Sequence, residues 1–261
     1  MRSAVAAGLI LLGLVLGGCE TALQPSTQSR RESGRKAPKL DDRVMFFVFH
    51  SESPLKVKDF SGANGSFQFK LDHAGPCFFA LATAFTPDGY LLTAGHATSA
   101  HVLVIGVMNG EARAVAARIV HKQSFGSYGT DLAILHVDQS IDYFLPLGSL
   151  APGEKEIYAM GSDREAEFKI VVMGGKIGGV SLSASSDQVR LLDTNLPSWH
   201  GDSGGAAVSA DGKLIGVITG FQTKWSALHT AKLVCAPSKE FVEAMVAADR
   251  AKFASPAKSP P

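Results

Sequence analysis

The chain has 261 residues, 46% of them hydrophobic, and 27 glycines, a composition that suits one large core or two small ones joined by many tight turns. Its 25 basic and 24 acidic residues leave a formal charge of +1. That balance excludes the strong basic excess of a nucleic-acid-binding surface, and the hydrophobic content excludes a chain disordered throughout.

Residues 1–18, MRSAVAAGLILLGLVLGG, combine an early arginine with an apolar run from Ala4 to Leu16. The run is short for a membrane span and fits the apolar region of an export signal. Leu16-Gly17-Gly18-Cys19 resembles the bacterial lipobox, whose cysteine becomes a lipidated N-terminus. Residues 1–18 are therefore expected to be a lipoprotein signal peptide, with Cys19 as the membrane anchor. By the same resemblance, Glu20 in place of an aspartate implies an outer-membrane lipoprotein facing the periplasm of a bacterial cell envelope. Residues 19–42 are polar, with scattered proline, serine and arginine, and predict a flexible tether. In that oxidising compartment Cys77 and Cys235 form one disulfide or stay as two buried thiols; their spacing does not decide.

From Val44 onward the chain becomes a series of strand-length apolar or alternating runs: VMFFVF, CFFALATAF, YLLTA, HVLVIGV, ARAVAARIV, DLAILHV, EIYAM, FKIVVM, QVRLLD, GAAVSA and KLIGVITGF. Pro-Asp-Gly, Asp-Gly, Gly-Gly or Pro-Gly separates many of them, the punctuation of turns. This predicts an all-β sandwich or barrel. PLGSLAPG, residues 146–153, reads as a connection that divides an N-terminal β unit, 43–150, from a C-terminal one, 151–236. Residues 237–253 predict the one helix, with Ser238 as its cap and Phe241, Val242, Met245 and Val246 on one face. The tail, 254–261, is expected to be disordered.

Three of these runs carry chemistry. His96 ends the strand of PDGYLLTAGHA, Asp131 opens DLAILHV, and Ser203 sits in SWHGDSGGAAV. A serine hydroxyl needs a base to become a nucleophile, and histidine, with an ordinary pKa near 6.5, is the usual one. A carboxylate then fixes the imidazole tautomer and stabilises the imidazolium. His96, Asp131 and Ser203 supply that set in the order found in chymotrypsin-like proteases.

The chain resembles the trypsin-like serine peptidases of bacteria, in the style of the HtrA/DegP protease domain. The resemblance rests on Thr93-Ala94-Gly95-His96-Ala97, Asp131-Leu132-Ala133-Ile134-Leu135, Gly201-Asp202-Ser203-Gly204-Gly205 and Gly212-Lys213-Leu214-Ile215-Gly216-Val217. It implies two packed six-stranded antiparallel β-barrels with the site between them, followed by the C-terminal helix. It also implies a serine endopeptidase acting on protein or peptide substrates through an acyl-enzyme, with the Gly201 and Ser203 amides as oxyanion donors. Ser198, Trp199, His200, Thr219, Gly220 and Phe221 are the expected substrate-binding residues. Pro197 stands where a trypsin carries an aspartate, so Lys or Arg specificity is not implied. The resemblance supplies no partner for Asp202, because no sequence like a freshly cut trypsin N-terminus is present. In the 58 residues beyond Ser203 the last strands and one helix are expected, but no PDZ domain.

His50, His73, His101, His121, His136 and His229 show no metal-ligand spacing and the cysteines form no CxxC, so no metal or organic cofactor is implied. Two other readings start from the same letters. Gly201 to Gly205 also fits the nucleophile elbow of α/β-hydrolase esterases, but that fold needs crossover helices and a histidine after the serine. A protease fold can also serve as a latent or non-catalytic binding protein on a lipid anchor.

Overall fold

Met45–Phe49 has no polar residue to mark an outer face, and the strand it forms, β3 (Met45–Ser51), is buried throughout. The computed structural model, which describes residues 20–23, 28–30, 37–63, 66–123, 130–162, 170–180, 188–223 and 230–254, shows why. Phe46 and Val48 belong to the interior of a closed barrel, where Ala80, Ala82 and Ala84 leave room for them. Phe47 and Phe49 face the other way and meet Phe67 and Phe69 edge-on. A strand covered on both faces reads as a continuous apolar run.

That barrel contains β3, β6 (Phe78–Ala84), β7 (Tyr90–Thr93), β8 (His101–Met108), β9 (Glu111–Gln123) and β10 (Leu132–His136), in the order β10-β7-β6-β3-β8-β9 and closed between β9 and β10. The cover over Phe47 and Phe49 is a hairpin of β4 (Lys56–Ala63) and β5 (Ser66–Asp72). Sequence reading passed over this hairpin although Phe67, Phe69 and Leu71 alternate with polar residues, and all three are buried.

The second barrel contains β11 (Glu156–Ser162), β12 (Ile170–Val180), β13 (Val189–Thr194), β14 (Ala206–Val208), β15 (Leu214–Thr223) and β16 (Thr230–Pro237). Its order is β11-β14-β15-β16-β13-β12, and pairing of β11 with β12 closes it. Both barrels are built from antiparallel strands, so the expected fold class, two six-stranded antiparallel barrels with a C-terminal helix, is the one observed. Ile157, Ala159, Val171, Leu192, Ala207, Ile215 and Val234 fill the second barrel. A larger cluster joins the two, bringing Leu81, Leu92, Leu132 and Ile134 together with Tyr158, Met160, Val217 and Cys235.

Within residues 19–42, read from sequence as a tether, two short strands occur. β1 (Glu20–Leu23) pairs with β5, and β2 (Gln28–Arg30) runs parallel to the first half of β12. An open strand edge offers unpaired N–H and C=O groups to any extended segment, whatever its side chains. Cys19 and the signal segment 1–18 lie outside the described residues, as does the tail from residue 255. Among the described residues no helix is long and apolar enough to cross a membrane.

The helix α1 (Lys239–Ala254) begins where Ser238 Oγ accepts the Phe241 N–H at 3.2 Å, a side-chain N-cap. Phe241, Val242 and Val246 are buried and Met245 packs against them. At its far end Asp249, 2% exposed, accepts a two-pronged bond from Arg118 of β9 at 2.7 and 2.8 Å and one from the Tyr90 hydroxyl of β7 at 3.0 Å. The Arg118 guanidinium foremost holds the Asp249 carboxyl below its ordinary range. Removing this carboxylate leaves a buried hydroxyl and a half-buried cation unmatched. Asp249→Ala is expected to destabilise the protein by about 2 kcal/mol in urea denaturation, and a loss below about 0.5 kcal/mol would contradict the assigned role.

Candidate active site

Strand β7 ends at Thr93, and the chain then makes a short 3₁₀ turn, Gly95–Ala97. The turn is held by Thr98 Oγ1 donating to Gly95 O at 2.8 Å and by Lys122 Nζ donating to Thr98 O at 2.7 Å. It presents a partly exposed His96 side chain to the cleft between the barrels. Asp131, immediately before β10, is 0% exposed. Its Oδ1 accepts the His96 main-chain N–H at 2.7 Å, and its Oδ2 lies 2.5 Å from His96 Nδ1. The other ring nitrogen, Nε2, is 3.0 Å from Ser203 Oγ. The structure thus brings the three sequence-predicted residues into one continuous line.

Ser203 is set against both barrels. Its carbonyl accepts the Leu81 N–H of β6 at 2.8 Å, and the next amide, Gly204 N–H, donates to Ile218 O of β15 at 2.7 Å. A Cβ on Gly204 would stand 1.8 Å from Leu81 O and 2.3 Å from Thr93 Oγ1. No other residue fits there without moving the serine from the histidine.

Residues 199–202 form a turn closed by the Asp202 N–H donating to Trp199 O at 3.2 Å. Gly201, third in the turn, has φ +95°, the position and sign that define a type II turn and favour glycine. Among the described residues neither the Gly201 nor the Ser203 amide is bonded to a protein acceptor. Both N–H groups are therefore open to an acceptor from outside the chain. Asp202 is buried and its partners are now visible: Ser162 N–H at 2.7 Å and Ser162 Oγ at 3.0 Å on Oδ1, and Trp199 N–H at 2.6 Å on Oδ2.

Beside this line lies a pocket of about 300 Å³ bounded by His96, Ser198, Trp199, His200, Ser203, Ile218, Thr219 and Gly220. Five of the six expected substrate-binding residues are in that wall. Phe221 belongs to β15, but its side chain is outside the described part. Thr219 differs from expectation in what its hydroxyl does: it donates to Asp131 Oδ2, and the residue is 1% exposed. Trp199, by contrast, is 56% exposed, with His200 edge-on beside it. Ile218 and Ser162 are the residues that sequence reading missed. A larger depression of about 450 Å³ between residues 38–41, 142–145 and 210–212 takes in none of the site residues.

Cys77 and Cys235 are both free thiols, so the disulfide alternative falls. Burial pushes the Cys77 thiol up to about 11. Among the described residues no group of His, Cys, Asp or Glu is placed to hold a metal ion. His229 lies outside them.

Two closed barrels of six antiparallel strands, meeting along one cleft, are the chymotrypsin fold, and its bearer here is a serine-peptidase domain of the trypsin-like type. Residues 79–217 match the family described as trypsin-like peptidase domain, and the chain belongs to that family. Among solved structures it is similar to the HtrA-type protease AlgW with a decapeptide, at 20% identity and TM-score 0.54 over 80% of this chain and 65% of that one. It is also similar to the MamO protease domain from Magnetospirillum magneticum, at 19% identity and TM-score 0.50 over 77% of this chain and 95% of that one. A serine endoprotease from Yersinia pestis matches at 17% identity and TM-score 0.52, over 82% of this chain and 68% of that one. At these identities the likeness is one of fold, and the chain spans less than two thirds of the AlgW chain. No curated protein matches it.

One further histidine sits close to the site. His50 is 7% exposed, with Nδ1 2.9 Å from Ser99 Oγ. Burial, then repulsion from His96 and Lys122, pushes it down to about 4. The unfolded chain takes up this proton near pH 6.5, so the stability contributed by neutral His50 is present above that pH and lost as pH falls toward about 4. His50→Gln, which keeps a hydrogen-bonding side chain, is expected to reduce acid destabilisation between pH 6.5 and 4.5 by on the order of 1 kcal/mol. Identical pH-stability curves for the two proteins would contradict this.

Proposed function

We propose that the chain is a serine endopeptidase that cleaves protein or peptide substrates in the bacterial cell envelope. The observation that carries the reading is the unbroken line from Asp131 through His96 to Ser203, with distances of 2.5 and 3.0 Å. In this reading Ser203 Oγ attacks the scissile carbonyl while His96 Nε2 takes its proton, and Asp131 holds the Nδ1 proton in place. The oxyanion of the tetrahedral intermediate turns to the Gly201 and Ser203 amides. His96 then returns the proton to the leaving amine, and a water, deprotonated by the same nitrogen, releases the acyl group from Ser203.

The wall of Ser198, Trp199, His200, Ile218, Thr219 and Gly220 receives the side chain next to the cut bond. Strand β15 continues past it through Phe221, which gives an extended substrate an edge to pair with. Thr219 serves Asp131 as well as the wall. We further propose, from the lipobox-like Leu16-Gly17-Gly18-Cys19 and the Glu20 that follows it, that the domain is held at the outer membrane by lipid on Cys19.

The reading is tested by labelling the purified protein with a small fluorophosphonate and following casein cleavage. Labelling and cleavage are expected in the wild type and absent in Ser203→Ala. Asp131→Asn is expected to lower kcat by about 10⁴, and the wild-type rate should rise with pH as a histidine loses its proton. Equal labelling of Ser203→Ala, or a rate flat from mildly acid to alkaline pH, would contradict the assignment.

A further inference from the structure

Glycine accepts positive and negative φ with little difference in energy, so Gly201 alone does not choose the form of the 199–202 turn. A type I turn over the same four residues would rotate the central peptide by roughly half a turn and point the Gly201 N–H away from Ser203. Something outside the turn must therefore select the form seen here. The nearest side chains belong to two residues. A Cβ built on Gly201 would stand 3.4 Å from Phe79 of β6 on the first barrel and 3.5 Å from Ser162 Oγ of β11 on the second.

Phe79 brings a ring stacked on Phe47, whereas Ser162 brings hydrogen-bond donors to the turn itself. Its N–H and Oγ both donate to Asp202 Oδ1, while Oδ2 reaches back to the Trp199 N–H. The turn is thus closed twice, once by main chain and once through a carboxylate that is itself fastened to the end of β11. The approach is close enough that a Cβ on the preceding residue, Gly161, would lie 2.6 Å from Asp202 Oδ1. A carboxylate that is 1% exposed cannot give up such donors cheaply, since hydrogen bonds to a buried charge are among the stronger ones.

We propose that Ser162 is a positioning residue for the peptidase reaction: through its two donors to Asp202 it holds the 199–202 turn in the form that aims the Gly201 N–H at the oxyanion. The inference rests on the peptidase reading above. It means that no separately cut N-terminus is needed to fasten Asp202, because β11 brings Ser162 to it within the same barrel. Ser162 touches no reacting atom, so its loss weakens transition-state stabilisation and leaves substrate binding in the ground state alone.

The test uses the full chain in detergent, a fluorogenic peptide copied from a casein site the wild type cuts, and a peptide boronic acid that forms a tetrahedral adduct on serine. Ser162→Ala is expected to lower kcat about tenfold or more with KM within about twofold, and to weaken the boronate by the same factor. Ser162→Thr, which keeps the hydroxyl, should recover to within about threefold of wild type. Wild-type kcat and boronate affinity in Ser162→Ala, a change in KM alone, or a threonine variant as impaired as the alanine one would overturn the proposal. If circular dichroism shows Ser162→Ala unfolded, Asp202→Asn replaces it: an amide facing the Trp199 N–H should cause the same kcat loss, and a wild-type kcat would overturn the proposal. A wild type that cuts no casein and binds no boronate fails the peptidase reading itself, and the inference falls with it before any variant is made.

Discussion

A carboxylate with no exposure to solvent, Asp131, lies at the seam of this molecule. Taking a charge out of water is costly unless it is met by well-placed donors. Here the donors come from both sides of the cleft: the His96 main chain and ring from the first barrel, and the Thr219 hydroxyl from the second. The interaction that orients His96 is therefore also one that registers the barrels against each other. Moving either barrel unmatches a buried charge, which is a strong reason for the cleft to keep one geometry.

The rest of the site is arranged by the same economy. His96, Asp131 and Ser203 each stand beside a strand end or on a bonded turn, where the barrel supplies rigidity, and the His96 ring keeps partial access to solvent. Ser203 is bonded by its carbonyl to β6 and, through Gly204, to β15, so its hydroxyl is positioned by one barrel and checked by the other. Elsewhere on the first barrel, the Arg118, Tyr90 and Asp249 network ties the C-terminal helix to β7 and β9. Strand β7 is also the one that leads to His96.

Much of this was legible in the sequence because the informative signals are local. His96, Asp131 and Ser203 each stand in a short motif next to an apolar strand, and their chain order points to the arrangement. The hairpin β4–β5 had a readable alternation in Ser66–Asp72, yet its meaning lies in covering Phe47 and Phe49, a contact the linear pattern does not announce. Ser162 and the hydroxyl of Thr219 were out of reach for a different reason. A serine at the end of a strand and a threonine within one are ordinary residues, and their roles come from partners 40 and 88 positions away. The same holds for Asp202: its letter raised the question of a partner, and only the folded chain supplies one.

The most direct measurement is a crystal structure of the protein soaked with a peptide boronic acid. The account predicts boron bonded to Ser203 Oγ, one boronate oxygen within hydrogen-bond reach of the Gly201 and Ser203 amides, and His96 still bridging Ser203 and Asp131. A boronate bound elsewhere, or an adduct whose oxygens face away from both amides, would contradict it.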